Sequence, residues 1–421
     1  MSALLTNLSW RAATPQLCFA ASTSLTTIAL HFSPRLQRRI FLTPVVILAF
    51  LAVLSIDGHR TAWGPSGLDS VTGLIACFYT LAAPLVLGVH QHSVLRELQN
   101  SAVGPKENQK LPSPECHPVF TRPTRQTLAA AWRIWNNPRA LRFNNTIPFR
   151  NPLSRLQRAR FASRRMGKLL LILVLDTFLL QPLFNAIDEG NLLHHYAPSQ
   201  ESLFRRLAIG DPSLYDTHAL TLRTSTTFWW IWGNYASLEV GHAILSIVGV
   251  GVLCLDEPED WPPLYGSLTE AYTLRRFWGR FWHSCMAPSA WEWSCRACGL
   301  LGLRGKSANR DALAALGVFL VSGCAHGLVA LRKGEGAPGK DIMFFMANYV
   351  LVIFERFVGG CAVAILRGSR ARCMLESAKL MRLLRVCGYT WVFFCLFWLS
   401  PKWLYPKFYL LSVQSESLVA P

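Results

Sequence analysis

Long apolar runs alternate with polar, arginine-rich stretches along this chain. A helix needs about 20 mostly apolar residues to cross a bilayer. Eight runs approach or reach that length: roughly 14–32, 40–56, 68–90, 168–187, 226–255, 311–331, 341–366 and 385–400. The first is the weakest, being rich in Ser and Thr. It lacks a clear small-residue cleavage site and a second run follows soon after, so it reads as a membrane segment rather than a signal peptide. The fifth is long and opens on Phe228-Trp229-Trp230-Ile231-Trp232, an aromatic cluster suited to a membrane interface. The pattern predicts an all-α, polytopic membrane bundle of about eight transmembrane helices.

Composition supports this expectation. Of the 421 residues, 51% are hydrophobic and only 16% charged, against about 25% charged in soluble domains. That excludes an ordinary soluble enzyme and a disordered chain. One integral membrane domain over 1–421 is expected, with a basic loop at 91–167 inside it. Lys and Arg number 42 against 24 Asp and Glu, a formal charge of +18. In a membrane protein such an excess collects in cytosolic loops and implies no nucleic acid. Arg35, Arg38 and Arg39 follow the first run, and 91–167 carries 14 Lys or Arg against three acids. The 256–310 and 367–384 loops are also basic. These are alternate loops, so all fall on one side, expected to be cytosolic, with both termini opposite.

Within 91–167, the stretch 100–125 is polar and Pro-containing, while Ala129–Arg165 mixes Trp132, Trp135 and Phe143 with arginines. The latter suits a surface-lying amphipathic segment, or a charge signal alone. The sequon Asn144-Asn145-Thr146 would then be cytosolic and unused. No internal repeat is visible, which weighs against a transporter built from related halves. Seven of the 12 cysteines sit in apolar runs, and Cys295-Arg-Ala-Cys298 is the one CxxC pair. Neither a zinc site nor a disulfide framework is expected.

Four features could carry chemistry. Glu257-Pro258-Glu259-Asp260-Trp261-Pro262-Pro263-Leu264-Tyr265-Gly266 is a loop with a rigid Trp-Pro-Pro, by itself more often a structural turn. In Arg275-Arg276-Phe277-Trp278-Gly279-Arg280-Phe281-Trp282-His283, a helix would align Arg276, Arg280 and His283 on one face and Trp278 with Trp282 on another. Such a segment could contact lipid head groups, or bind a phosphate-bearing cofactor with a greasy or thioester tail, since the guanidinium fork matches phosphate. Third, Ser322-Gly323-Cys324-Ala325-His326 places a histidine inside an apolar run. Ionisable groups at membrane depth are costly and default to functional candidates, though a structural histidine stays open. A neutral imidazole can accept a proton from a hydroxyl. Fourth, Asn348 and Glu355 share a helical face, Glu239 and His242 lie three apart, and Asp176 stands alone. These read mostly as polar contacts inside the bundle.

The order of these motifs resembles the wax synthase-like branch of the membrane-bound O-acyltransferases. That branch has a Trp-Pro-Pro-x-(Phe/Tyr)-Gly stretch, then Phe-Trp-(Gly/Ser)-Arg-Arg-Trp-(His/Asn), then an intramembrane Ser-Gly-x-x-His. Here Phe281 replaces the second arginine of the middle motif, and the likeness covers about 257–360. The resemblance implies a many-helix bundle with a central channel. It implies His326 as general base, His283 as a second active-site residue, and no metal. Arg276, Trp278, Arg280 and Trp282 would hold acyl-CoA at the cytosolic mouth, with no tightly bound cofactor. By overall likeness the chain is similar to fungal enzymes that acetylate terpenoid and meroterpenoid hydroxyls. The expected partners are acetyl-CoA, a lipophilic alcohol and membrane lipid, in the endoplasmic reticulum. Rivals are a long-chain transferase making wax or sterol esters, a membrane transporter, and a scaffold without activity.

The charge pattern makes the topology testable. A reporter fused after Pro421 should read as non-cytosolic, and one inserted near Lys106 as cytosolic. Reporters that both fall on one side of the membrane would contradict the eight-span arrangement.

Overall fold

A computed structural model describes residues 13–32, 40–56, 67–89, 124–136, 153–188, 192–201, 208, 210, 216–285, 287–305, 307–336, 338–367 and 378–419. Arg35, Arg38, Arg39, the sequon and most of the 100–125 stretch lie outside the described residues. Among those described there are helices and no strand. In chain order the α-helices are α1 (Thr14–Ala29), α2 (Leu42–Leu54), α3 (Gly67–Val89), α4 (Arg125–Asn136), α5 (Arg155–Leu175), α6 (Gln181–Asp188), α7 (Leu192–His195), α8 (Thr217–Ser246), α9 (Leu274–Arg276), α10 (Ala287–Leu300), α11 (Ala308–Lys333), α12 (Pro338–Arg367) and α13 (Ala378–Val419). Asp176–Leu180 is a π-turn joining α5 to α6, and Ile247–Val252 is a π-turn extending α8.

The protein is an all-α polytopic membrane protein. Five helical stretches are long and apolar enough to cross a membrane: Arg155–Ile187, Thr217–Val252, Ala308–Lys333, Pro338–Ala362 and Lys379–Val413. The N-terminal runs also form helices, but shorter ones. At about 1.5 Å per residue, the 13 residues of α2 reach about 20 Å, short of a hydrocarbon core of about 30 Å. At the other end, α13 covers 42 residues and continues through Pro401 and Pro406, well beyond the expected 385–400.

The chain divides into two compact units. The first comprises residues 1–168, 241–262 and 285–289. Its core includes Leu30, Val45, Ala82, Ala83 and Leu87, all at most 2% exposed. Three of the hydroxyls that make α1 look weak as a span are satisfied internally. Ser22 Oγ donates to the Val45 carbonyl at 2.8 Å, and Thr26 and Thr27 donate back to Ser22 and Thr23 at 2.8 and 2.9 Å. Such back-bonding lets Ser and Thr sit in a helix away from water.

Trp132 and Trp135, expected on a membrane surface, turn into this unit instead. Trp135 is 5% exposed in its core. The Trp132 and Trp261 indoles both donate to Asp256 Oδ2, at 3.3 and 3.1 Å. Burial pushes the Asp256 carboxyl above the usual range, and the two indole hydrogen bonds pull against it.

The second unit comprises residues 169–240, 263–284 and 290–421. Its core gathers Trp230, Tyr265, Leu274, Phe277, Phe344 and Trp403. Asp176, solitary in the sequence, accepts from the Trp232 indole at 2.9 Å, so part of the expected interfacial aromatic run is tied inside the protein. The segment 263–284 folds back on itself, with the Gly266 amide donating to the Phe281 carbonyl at 2.9 Å. A Cβ on Gly266 would lie 1.9 Å from the Arg280 carbonyl oxygen, a backbone atom that cannot swing away.

Gly266→Ala should therefore break this closure. It should cost at least about 1–3 kcal/mol, as overpacking typically does, and lower the melting temperature in detergent by several degrees. Gly279→Ala, where nothing lies within 4 Å of the added Cβ, should be tolerated. Equal effects of the two would discount the close approach.

Candidate active site

The segment from Thr273 to His283 is held by one face of α12. The Leu274 and Arg275 amides donate to Glu355 Oε2 and Oε1 at 2.7 and 3.3 Å. Thr273 Oγ1 accepts from the Arg276 amide at 3.1 Å. Together they satisfy the free N–H groups of a helix start. Two turns earlier on the same face, Asn348 Oδ1 accepts from the Trp278 indole at 3.1 Å, while Asn348 Nδ2 donates to the Phe344 carbonyl at 2.9 Å. Asn348 is 0% exposed, so both halves of a fully buried amide are engaged.

The segment is not the regular helix its periodicity suggests. Only Leu274–Arg276 is α-helical; Phe277–Phe281 is a π-turn closed by the Trp282 amide on the Phe277 carbonyl at 2.7 Å. Trp282 is extended, with φ −60° and ψ 150°. His283 consequently leaves the helical face expected to carry Arg276 and Arg280. The extra residue of a π-turn re-aims the side chains that follow it, a feature frequent at functional sites.

The result separates the segment by chemistry. Arg276 and Arg280 both bond Glu270, the latter at 2.7 Å. The Arg280 hydrogen bond first, then the charges of both arginines, hold the Glu270 carboxyl below its usual range. Arg276 also lies over the Tyr272 ring at 4.4 Å. The Arg280 side chain is 58% exposed against 19% for Arg276, so Arg280 is the more open cation for an anionic ligand. Trp278 and Trp282 instead enter the apolar core. Trp282 stacks on Trp230 at 5.1 Å and 25°, and on Phe277 at 5.3 Å and 29°.

His283 packs against Trp282 at 5.4 Å and edge-on to Tyr265 at 5.7 Å. Its Nδ1 is sealed from solvent and has no hydrogen-bond partner among the described residues. Burial lowers its pKa to about 4, so the imidazole is neutral near pH 7.

His326 lies on α11. Gly323 and Gly327 of the same helix let α12 come close: a Cβ on Gly323 would meet Ile342 Cα at 3.0 Å, and one on Gly327 the Pro338 carbonyl oxygen at 3.0 Å. Small residues four apart serve this purpose in membrane helix pairs. The approach sets the Phe345 ring 4.9 Å from the His326 ring, tilted by 30°, and Trp403 meets it edge-on at 5.9 Å. Ring contacts run from His326 through Trp403, Trp230 and Trp282 to His283, at 5.9, 5.8, 5.1 and 5.4 Å. The motif serine is tied to its own helix, where Ser322 Oγ donates to the Val318 carbonyl 2.9 Å away.

Several residues here carry no sequence signal. Trp403 donates to Asp341 Oδ1 at 2.7 Å, and Lys407 Nζ donates to the same oxygen at 2.8 Å. Asp341 is 0% exposed but opens its span, where an acid reads as a loop residue. Glu270, in a basic loop, likewise gives no hint of its two arginines. The described residues hold no group of three or more His, Cys, Asp or Glu arranged for a metal.

Comparison with known proteins agrees with this segment. Residues 261–347 match the profile of the membrane bound O-acyl transferase family. The chain is 34% identical to acetyltransferase ataH of Aspergillus terreus, over 42% of this chain and 56% of that protein. It is 32% identical to acetyltransferase spyB of Aspergillus fumigatus, over 44% and 32% respectively. It is 31% identical to acetyltransferase TRI7 of Fusarium sporotrichioides, over 42% and 40%. These alignments span from about a third to just over half of each relative. No solved structure matches the chain. The resemblance to membrane-bound O-acyltransferases therefore holds for the stretch that carries the three motifs.

The buried imidazole makes a pH prediction. An unfolded histidine takes a proton near pH 6.5, the folded His283 only near pH 4. Between these values the unfolded chain binds more protons, so stability falls as the pH falls. The loss attributable to His283 should reach at most about 3 kcal/mol below pH 4. His283→Gln should flatten the fall in melting temperature between pH 6.5 and 4. An unchanged slope would assign that fall to other groups.

Proposed function

We propose that this chain is an O-acyltransferase that moves an acetyl group from acetyl-CoA to a hydroxyl of a lipophilic terpenoid or meroterpenoid. The observation that carries this reading is the convergence of His283 and His326 inside one aromatic enclosure of the second unit. The match of residues 261–347 to the membrane-bound O-acyltransferases supports it, as do the acetyltransferases among the chain's relatives.

In this mechanism neutral His326 takes the proton of the acceptor hydroxyl as its oxygen attacks the thioester carbonyl carbon. The tetrahedral intermediate collapses with cleavage of the carbon–sulfur bond. The CoA thiolate leaves and recovers the proton from the imidazolium. General base assistance is typically worth 10²- to 10⁴-fold, and holding donor and acceptor in one enclosure supplies more. His283, neutral near pH 7 and with Nδ1 unpaired among the described residues, is placed to bond the donor or the acceptor. Arg280 offers an exposed guanidinium to the phosphates of CoA. Arg276 orients Glu270, and Trp278 and Trp282 brace the turn. No tightly bound cofactor enters this scheme, and the endoplasmic reticulum is the membrane proposed to hold the enzyme.

Three of the polar residues that would favour a transporter are engaged within the second unit. Asp176 holds Trp232, Asn348 holds Trp278, and Glu355 holds the Leu274 amide. Each has a structural duty that needs no solute.

Membranes from an expressing host, given labelled acetyl-CoA and a panel of terpenoid alcohols, should form esters. His326→Gln should insert normally yet lower turnover by at least about 10², because Gln accepts no proton near neutral pH. Near wild-type turnover for His326→Gln, together with misfolding of His326→Ala, would make this histidine structural and remove it as the base.

A further inference from the structure

Both rings that meet His326 are nearly closed to solvent, Phe345 at 7% and Trp403 at 6% exposure. Neither stands alone. Phe344 stacks on Trp403 at 4.2 Å and 21°, and Trp230 meets both rings, at 5.5 and 5.8 Å. Trp403 is further pinned by its indole bond to buried Asp341 and by the Lys407 ammonium 5.1 Å from its ring centre. A pinned, doubly backed indole cannot swing aside. Phe345 has no polar tie, but α12 presses it towards α11 at Gly323, where an added Cβ would lie 3.4 Å from Phe345 Cβ.

Three groups must leave the reacting carbonyl carbon in different directions: the sulfur of CoA, the attacking oxygen beside His326, and the acyl chain. On the sides of His326 covered by Phe345 and Trp403, a long chain would need room that packed rings occupy. Interiors of native density yield little to one extra methylene.

We propose that Phe345 and Trp403, backed by Phe344 and Trp230, set the length of the acyl group and restrict transfer to short chains. This inference rests on the acyltransferase reading above and goes beyond it, since it assigns donor selectivity to residues outside the three motifs. Phe345 is the variant position of choice, because removing it opens space beside His326 without breaking the Trp403–Asp341 bond.

The test measures kcat/KM for acetyl-, butyryl- and hexanoyl-CoA with each of a panel of terpenoid alcohols, in detergent-solubilised full-length protein. Wild type should prefer acetyl- over butyryl-CoA by at least about 10-fold, within the 10- to 200-fold range a hydrophobic pocket achieves. Phe345→Ala should shrink that preference by about 10-fold, and Phe345→Leu should fall between. Wild type that uses all three donors equally overturns the inference while leaving the transferase reading intact. So does a folded Phe345→Ala that keeps the donor ratio and changes only the preferred alcohol, because the wall would then face the acceptor. If Phe345→Ala does not fold, Phe345→Leu and the wild-type profile still decide. Wild type that uses none of the donors, with any alcohol, overturns the transferase reading and this inference with it.

Discussion

The grip of α12 on the Thr273–His283 segment is the contact on which the candidate site depends. Glu355 receives two backbone amides and Asn348 receives an indole, seven residues apart on one helical face. Without the carboxylate, the start of α9 would leave N–H groups unpaired where water is scarce. Without Asn348, the Trp278 N–H would be buried without an acceptor. An unmade hydrogen bond of that kind costs more than a made one gains. The π-turn, the placement of His283 and the Trp282–Trp230 stack all lie downstream of these two side chains.

The same rule acts at other points of the second unit. Polar groups in apolar surroundings must find partners within the protein, and here they find indoles repeatedly. Asp176 takes Trp232, Asp341 takes Trp403 and Asn348 takes Trp278. An indole suits this task because it offers one directed donor on a large apolar body. Each of these three acceptors thus orients a ring, and one of those rings, Trp403, meets the His326 imidazole. Rigid polar contacts and tight apolar packing are therefore one construction, which fits a site that must hold reactants in a narrow range of positions.

Charge is arranged differently at the surface of the segment. Glu270 draws Arg276 and Arg280 together, and Arg280 remains more than half exposed. Exposed ion pairs add little stability, so this carboxylate matters more for where the guanidinium groups point than for holding the fold. An anionic ligand would have to compete with Glu270 for Arg280.

Apolar run length and charge asymmetry were enough to read an all-helical membrane protein from the sequence, because spanning a bilayer restricts a chain to few patterns. Resemblance in motif order drew attention to His283, His326 and the arginine–tryptophan segment as candidates. The shared face of Asn348 and Glu355 was also legible, through helical periodicity alone. What that face holds was not, because Trp278 and Leu274 lie some seventy to eighty residues earlier in the chain. Periodicity also allowed a continuous helix over 275–283, which the structure does not form, since a π-turn leaves no mark in the spacing of apolar residues. The lengths of α2 and α13, the burial of Asp341 and the approach of Phe345 and Trp403 to His326 were decided only in three dimensions. Those features depend on which helices pack together, and packing brings together residues whose separation along the chain carries no local signal.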